Sequence, residues 1–362
     1  PIKTALAFSP YLYTMQPSGH LYTGMVENGI ATAVQSTTWL DRDFNLVFMG
    51  AIYAPGHDEK KVAASLEQGV EQGKAFNETE LKRVKSLIQN DADTVKSNAA
   101  ALGGRLSDYV VAYQGDWGQY FTDLDQVQKL QLKDVNATLK DFLVASHRIT
   151  GDIKPTPEEQ KKAQQQQAAE APKTLDQSDT PPEPLKDASV YKQEVAQYLL
   201  TSQKNLIENE KKIQRGALKN GLKYAFYPVA TRDNKTYATL NLDFGSAESL
   251  FNQSEIVDLT AYLLLRASKQ YSLQDITDKA IDAGGSASVT ANGNGMTVQI
   301  VAKKEKFEEF FKYIVSVMKS PKFEQSQFDL IKLQSLSSLD RPYTEPETVS
   351  SLTIARLLET YH

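Results

Sequence analysis

The period of the apolar positions changes several times along the chain, and each change marks a predicted element. Two β-rich runs, Leu222 to Ala230 and Tyr237 to Phe244, flank the turn-prone Arg232-Asp233-Asn234 and predict a strand-turn-strand unit. Asn252 followed by Glu255 predicts a capped helix running through Ser268. Its apolar positions, among them Ile256, Val257, Leu259, Ala261, Leu263, Leu264 and Leu265, are too many for a helix with one exposed face, which places it against a sheet. A second helix is predicted from Leu273 to Ala283, stopped by Gly284-Gly285. Next, Ser286 to Ala291 and Met296 to Ala302 bracket Asn292-Gly293-Asn294-Gly295, the clearest hairpin in the sequence. Helices near Glu305 to Lys319 and Glu324 to Leu339 follow. After Pro346 the stripe Ile354, Leu357, Leu358, Tyr361 predicts a last helix that reaches the final residue without a stop signal, as expected of a fragment of a longer protein.

The first part of the chain repeats this order. Gly29-Ile30-Ala31-Thr32-Ala33-Val34 corresponds to Gly284-Gly285-Ser286-Ala287-Ser288-Val289, each opening a strand, and Phe44 to Ala54 is the second strand of the earlier pair. An amphipathic helix follows (Val62, Leu66, Val70), then a helix start, Phe76-Asn77-Glu78-Thr79-Glu80-Leu81, that parallels Phe323-Glu324-Gln325-Ser326-Gln327-Phe328. A repeat of this length predicts two homologous domains rather than a solenoid. The expected fold class is α+β: two two-layer α/β sandwiches, each a mixed, mostly antiparallel sheet with helices on one face.

Between Lys154 and Ser189 the pattern collapses. Six of the fourteen prolines fall there, beside the run Gln164 to Gln167 and with no aromatic residue. Such a stretch buries too little apolar area to offset its ordering entropy and reads as an extended, hydrated linker. Helical spacing returns at Val195, Leu199, Leu206 and Ile213. The predicted division is 1–153, a linker over 154–210 with a helical second part, and 211–362.

Composition narrows the function classes. With 40 basic and 45 acidic residues the net charge is −5, which implies no broad basic face for nucleic acid. The longest apolar run, Val47 to Ala54, falls far short of the about 18 residues that cross a bilayer. The absence of cysteine excludes disulfides, thiolate nucleophiles and cysteine-based metal sites, and suits an oxidising cell envelope.

Several of these pieces, in this order, resemble the insulinase-like, or pitrilysin-like, zinc metallopeptidase family. Leu21-Tyr22-Thr23-Gly24-Met25-Val26-Glu27-Asn28-Gly29-Ile30-Ala31 looks like the helix-to-strand passage of that family's second domain. Ala75 to Lys85 is similar to its recurrent start of a long helix. Leu218-Lys219-Asn220-Gly221-Leu222-Lys223 and Ala283-Gly284-Gly285-Ser286-Ala287 look like parts of its odd-numbered domains. The resemblance covers everything but the linker. It implies a metallopeptidase-like fold, with residues 1–153 as a second domain lacking its beginning and 211–362 as a third domain lacking its end. Bacterial members have two halves of two domains each, which close like a shell around a peptide. It further implies zinc in the parent protein, ligated by an absent first domain, with a peptide substrate and that missing catalytic domain as partners. A homo-oligomer is left open, and the resemblance points to the periplasm.

The family's catalytic helix carries H-x-x-E-H, in which two histidines four residues apart grip zinc from one face and the glutamate takes a proton from bound water. The corresponding positions here are Asp258, Ala261 and Tyr262. Alanine accepts no proton and a neutral phenol is a poor zinc ligand, so neither catalytic nor metal-binding residues are expected. The plain reading of the pair is a hydrogen bond from Tyr262 to Asp258 across one turn, or exposure of one or both. His20, His57, His147 and His362 are scattered, and His57-Asp58-Glu59 reads as a helix start. Where family members place an arginine and a tyrosine to hold substrate, this chain has Val26 and Thr32. Two functions follow as expectations: a non-catalytic portion of a zinc metalloendopeptidase, forming part of the enclosing chamber, or a non-enzymatic scaffold or peptide-binding protein on the same fold.

Overall fold

The computed structural model describes residues 2–40, 44–54, 57–153, 187–246, 248–251, 253–292, 295–339 and 346–358. The linker stretch 154–186 lies outside them, as do the Asn252 cap, Gly293 and Asn294 of the hairpin turn, Tyr361 and His362. Two compact units are present, one joining Pro1–Thr150 with Arg232–His362 and the other covering Gly151–Thr231.

Helices α1 (Ile2–Leu6) and α2 (Ser9–Thr14) lead to a π-helical turn, Tyr22–Val26. Gly29 ends this stretch in the left-handed region, φ +66°. There the Gly29 N–H donates to the Val26 carbonyl at 3.0 Å and the Ile30 N–H to the Met25 carbonyl at 2.8 Å, the double return of a Schellman stop. Strand β1 (Ala33–Leu40) then pairs antiparallel with β2 (Asn45–Ile52). Strand alternation turns Val34, Val47, Met49 and Ala51 onto a core of Leu6, Phe8, Leu12, Leu21 and Met25. Helix α3 (Glu59–Glu71) starts at Asp58, whose carboxylate accepts from the Lys61 N–H at 3.1 Å. Helix α4 (Glu78–Ser97) opens with a reciprocal capping box between Asn77 and Glu80. After α5 (Ala99–Ala112), helices α6 (Gln119–Lys129) and α7 (Leu132–Phe142) close the core with Val127, Val135 and Leu139.

In the smaller unit, α8 (Ala188–Lys212) buries none of its residues. Strand β3 (Gln214–Ala217) pairs antiparallel with β4 (Lys223–Phe226), which corrects the expected pairing of the 222–230 run with the 237–244 run. The reason is local. A tight link closes β3 onto β4, with the Leu218 N–H bonded to the Leu222 carbonyl at 2.8 Å and Gly221 at φ +85°. Gly216 also leaves room for the Tyr224 ring, whose hydroxyl would lie 2.6 Å from any Cβ there.

Strand β5 (Lys235–Asp243) begins after Asn234 at φ +52° and belongs to a different sheet. Helix α9 (Ser254–Leu263) is shorter than the predicted 252–268, and α10 (Leu273–Asp282) is capped by Ser272 and Asp275. Strands β6 (Ser286–Asn292) and β7 (Gly295–Lys303) form the predicted hairpin, and β5 lines the other edge of β7, giving the antiparallel order β5-β7-β6. Helices α11 (Phe307–Lys319), α12 (Gln325–Leu339) and α13 (Pro346–Leu358) follow. Val298, Ile300 and Ala302 of β7 pack on Ile276, Phe310, Ile314 and Val317, a core on one face of the sheet. The fold is α+β, with small antiparallel sheets, of which the two in the larger unit are covered by helices on one side.

The repeat read in the sequence reaches the hydrogen bonds. Gly284, at φ +60°, donates to the Ile281 carbonyl and Gly285 to the Ala280 carbonyl, each at 3.0 Å, the same double return seen at Gly29 and Ile30. Each stop is followed by a hairpin and two helices. Within the larger unit α4 joins the two segments: Arg83 holds Asp278 through Nε at 2.5 Å and Nη2 at 2.9 Å, and Asn90 donates to the Ile281 carbonyl at 3.0 Å.

Lys303 at the end of β7 also bonds Asp93 of α4 at 2.9 Å. Burial pushes the Asp93 carboxyl up, but hydrogen bonds from Lys303 and Gln89 and the neighbouring lysine charges outweigh it and hold the group below its ordinary 3.8. A depressed carboxyl contributes stability above the unfolded value and loses it as pH falls through the folded one. The pair is about a third exposed, so Asp93→Asn is expected to lower stability by no more than about 1 kcal/mol at pH 7. That difference should vanish below the acid limb. Urea melts at pH 7 and pH 2.5 test this, and an equal loss at both would contradict the assignment.

Candidate functional site

The sequence singles out α9, and its periodicity decides where the three motif positions fall. Val257, Ala261 and Leu264 form one stripe, buried against Met296 with Leu250, Val289, Ala291 and Met318 around them. Ala261 is therefore in the core, only 4% exposed. Asp258 and Tyr262, each one position past a stripe residue, lie exposed on the flank. The three side chains do not converge on a common point.

Tyr262 does not bond Asp258. Its hydroxyl accepts a hydrogen bond from Nη2 of Arg266, and the guanidinium carbon of Arg266 sits 4.3 Å from the centroid of the Tyr262 ring. The two are four residues apart, and the chain leaves the helix after Leu263, so Arg266 can fold back over the ring. Tyr22 of the first segment is in the same electrostatic neighbourhood. Burial raises its hydroxyl pKa, while Arg266 acts in the opposite direction, as does the 2.8 Å hydrogen bond from Gln16 Nε2. Sequence reading missed Arg266, Tyr22 and Gln16. The i, i+4 spacing of Tyr262 and Arg266 was the available signal.

This donor set does not fit zinc. One exposed carboxylate, one buried methyl group and one phenol already engaged by a cation provide neither the three ligands nor the base that zinc hydrolysis requires. Among the described residues no group of three or more His, Asp or Glu side chains is placed to hold a metal ion.

Three of the histidines are held by neighbouring groups. His20 Nε2 lies 2.8 Å from Glu80 Oε1, and its ring is 4.4 Å from that of Phe76. His57 and His147 bond the Ala54 and Phe142 carbonyls through Nδ1. Val26 is buried, and the Thr32 hydroxyl donates to the Ile52 carbonyl at 3.0 Å, so the two positions matching the family's substrate grip contribute to packing. An open cleft of about 560 Å³ lies at the start of α4, lined by Ser18, Asn77, Glu78, Thr79, Glu80, Arg83 and Gln274. Two of its charged groups have other tasks: Arg83 holds Asp278, and Glu80 serves His20 and the Asn77 N–H.

Among the described residues no helix is long and apolar enough to cross a membrane. No protein-family model and no curated protein matches the chain. Among solved structures, the inactive peptidase domain of a candidate zinc protease from Bordetella parapertussis is 28% identical, over 43% of this chain and 86% of that one, at a TM-score of 0.40. The ferredoxin protease FusC, solved in complex with Arabidopsis ferredoxin, is 14% identical over 98% of this chain and 40% of its own, at 0.41. The periplasmic protease PqqL from Escherichia coli is 13% identical over 94% of this chain and 39% of its own, at 0.33. The chain thus spans about two fifths of the length of FusC and PqqL. All three of these solved structures are described as proteases or as a peptidase domain of one.

Proposed function

We propose that the chain is a non-catalytic part of an insulinase-like zinc metallopeptidase, forming a portion of the wall that encloses the peptide. The observation that carries this reading is α9, where Asp258 and Tyr262 diverge from the buried Ala261 and Arg266 occupies the tyrosine hydroxyl. The segment 1–153 then acts as a second domain that braces the catalytic domain, and 211–362 as a third domain whose own site has been lost. Zinc belongs to the catalytic domain and the substrate is a peptide. Enclosure selects substrates by size and excludes bulk water, so a wall without ligands still shapes the reaction. A cell-envelope setting, the periplasm of a bacterium, is part of this proposal and accords with the lack of cysteine.

The test is a metal analysis of the purified chain together with a peptidase assay on an unstructured, fluorogenic peptide. The expected result is less than stoichiometric zinc and no hydrolysis above background. Zinc bound in one-to-one ratio and lost on Asp258→Ala would overturn the reading.

A further inference from the structure

Arg266 is a cation without a counter-charge. Among the described residues the ion pairs draw on other basic groups, and Arg266 enters none of them. Its guanidinium instead donates through Nη2 to the Tyr262 hydroxyl and lies 4.3 Å from the centroid of that ring. A guanidinium carries several more N–H donors than this one bond uses. Glu27, just past the π-helical turn, offers no compensation, because burial raises its carboxyl and no nearby cation lowers it.

Two phenols add further donors. Tyr22, only 6% exposed, accepts a 2.8 Å hydrogen bond from Gln16 Nε2, and Tyr262 accepts from Arg266, so each phenol has a lone pair engaged and its own proton left to give. Among the described residues neither proton has an acceptor. Burial raises the Tyr22 hydroxyl above its ordinary 10, which keeps it a donor at neutral pH. Arg266 and Tyr262 both act on that hydroxyl, so the three groups share one electrostatic neighbourhood. A cation just past the end of α9 also suits the helix dipole, but that accounts for neither phenol. The cluster runs from the exposed Tyr262 through the half-buried Arg266 to the buried Tyr22, and a ligand reaches it from the Tyr262 side.

We propose that Arg266, Tyr262 and Tyr22 form a binding site for a carboxylate of a peptide. The planar fork of a guanidinium matches the two oxygens of a carboxylate, and charge-assisted hydrogen bonds of this kind are the strong ones. The phenol protons then take lone pairs that the fork leaves open. One positive charge among neutral hydroxyls repels a lysine or arginine side chain and offers an amide no charge to pair with. Asp258 and Ala261 take no part in the site. This inference rests on the reading of the chain as a wall around a peptide, and it adds that the wall holds its guest through an acidic side chain or a C-terminal carboxylate.

The test uses the full chain carrying isotope-labelled arginine, with the Arg266 Nε–H resonance assigned by its loss in Arg266→Lys. The probes are alanine pentapeptides: one capped at both ends with a central glutamate, the same with glutamine, and the glutamine peptide with a free C-terminal carboxylate. The site predicts that at least one acid moves the Arg266 resonance saturably and binds, by calorimetry, roughly tenfold or more tighter than the fully capped glutamine peptide. Preference for the glutamate peptide names an acidic side chain as the guest, and preference for the free acid names a chain terminus. Arg266→Gln is expected to abolish the preference, and Arg266→Lys to restore only part of it, since lysine returns the charge without the fork. Tyr262→Phe, at an exposed position, is expected to weaken the preferred acid several-fold, and unchanged circular dichroism verifies that each variant folds. Equal affinity for acid and amide peptides, no binding at all, an unaltered preference in Arg266→Gln, or inorganic phosphate bound more tightly than either acid would each overturn the proposal. Zinc at α9 would sink the wall reading on separate grounds, whereas a zinc-free chain that treats the glutamine and acid peptides alike sinks the carboxylate site alone.

Discussion

Phe310→Ala is expected to destabilise the larger unit by about 3–5 kcal/mol, the range for emptying a packed aromatic site. Phe310 is 1% exposed and lies on the stripe Phe307, Phe310, Phe311, Ile314, Val317 and Met318 that α11 turns toward the sheet. Its neighbours come from three elements, Ile276 of α10 and Val298 and Ile300 of β7 besides its own helix, so no single side-chain movement can refill the space. Phe310→Leu keeps most of the volume and is expected to lose less than about 1.5 kcal/mol. Phe323→Ala is a control, since that ring is 53% exposed and its removal should change stability by about 0.5 kcal/mol or less. Urea denaturation followed by circular dichroism gives all three values. If Phe310→Ala and Phe323→Ala fell together, the second core would not be where this packing puts it.

What the sequence revealed and what it concealed follow one physical distinction. Elements governed by neighbours in the chain were legible: the hairpin at Ser286 to Ala302, the helix start at Asn77 with Glu80, and the glycine stop at Gly284. Each depends on a φ angle, a cap or a period that a few residues specify. Strand pairing was less legible, because Gln-Arg-Gly-Ala at 214–217 has no alternation to announce β3, and the run after it therefore seemed to pair forward. Contacts between distant residues were not legible at all. Nothing in the neighbourhood of Arg83 points to Asp278, and nothing near Tyr22 points to Arg266.

The candidate site shows the same division. The three positions on α9 that the resemblance singled out, Asp258, Ala261 and Tyr262, were visible as letters, and their chemistry followed from residue type alone. Their geometry did not. That Ala261 faces the core while its neighbours face outward depends on Met296 and Val289, which arrive from the hairpin. The tyrosine's actual partner depends on where the helix ends, and Leu263 is earlier than the apolar pattern implied. That pattern continues through Leu264 and Leu265 because the turn after the helix is itself covered, which leaves no polar residue to mark the stop.

The two glycine stops give the sharpest remaining test of the repeat, because they match in backbone but differ in surroundings. Gly29 and Gly284 both need a left-handed φ, so Gly29→Ala and Gly284→Ala are each expected to lose about 1–2 kcal/mol, the ordinary penalty for a side chain in that region. Around Gly29 a new Cβ would meet nothing within 4 Å, and around Gly284 its nearest neighbours would be atoms of the flexible Lys303 side chain. The following residue behaves differently. Ile30 carries a full side chain in the first segment, whereas a Cβ on Gly285 would stand 1.8 Å from the Val301 carbonyl oxygen and 2.7 Å from the Ala302 Cα. Those are backbone atoms of β7, held between β5 and β6, and they cannot move aside without breaking the sheet. Gly285→Ala is therefore expected to lose about 3 kcal/mol or more, at or beyond the upper end for overpacking. The measurement is a pair of denaturation curves for Gly284→Ala and Gly285→Ala. A larger loss at Gly284 than at Gly285 would mean that φ, not the close approach of β7, dictates the second glycine of the pair.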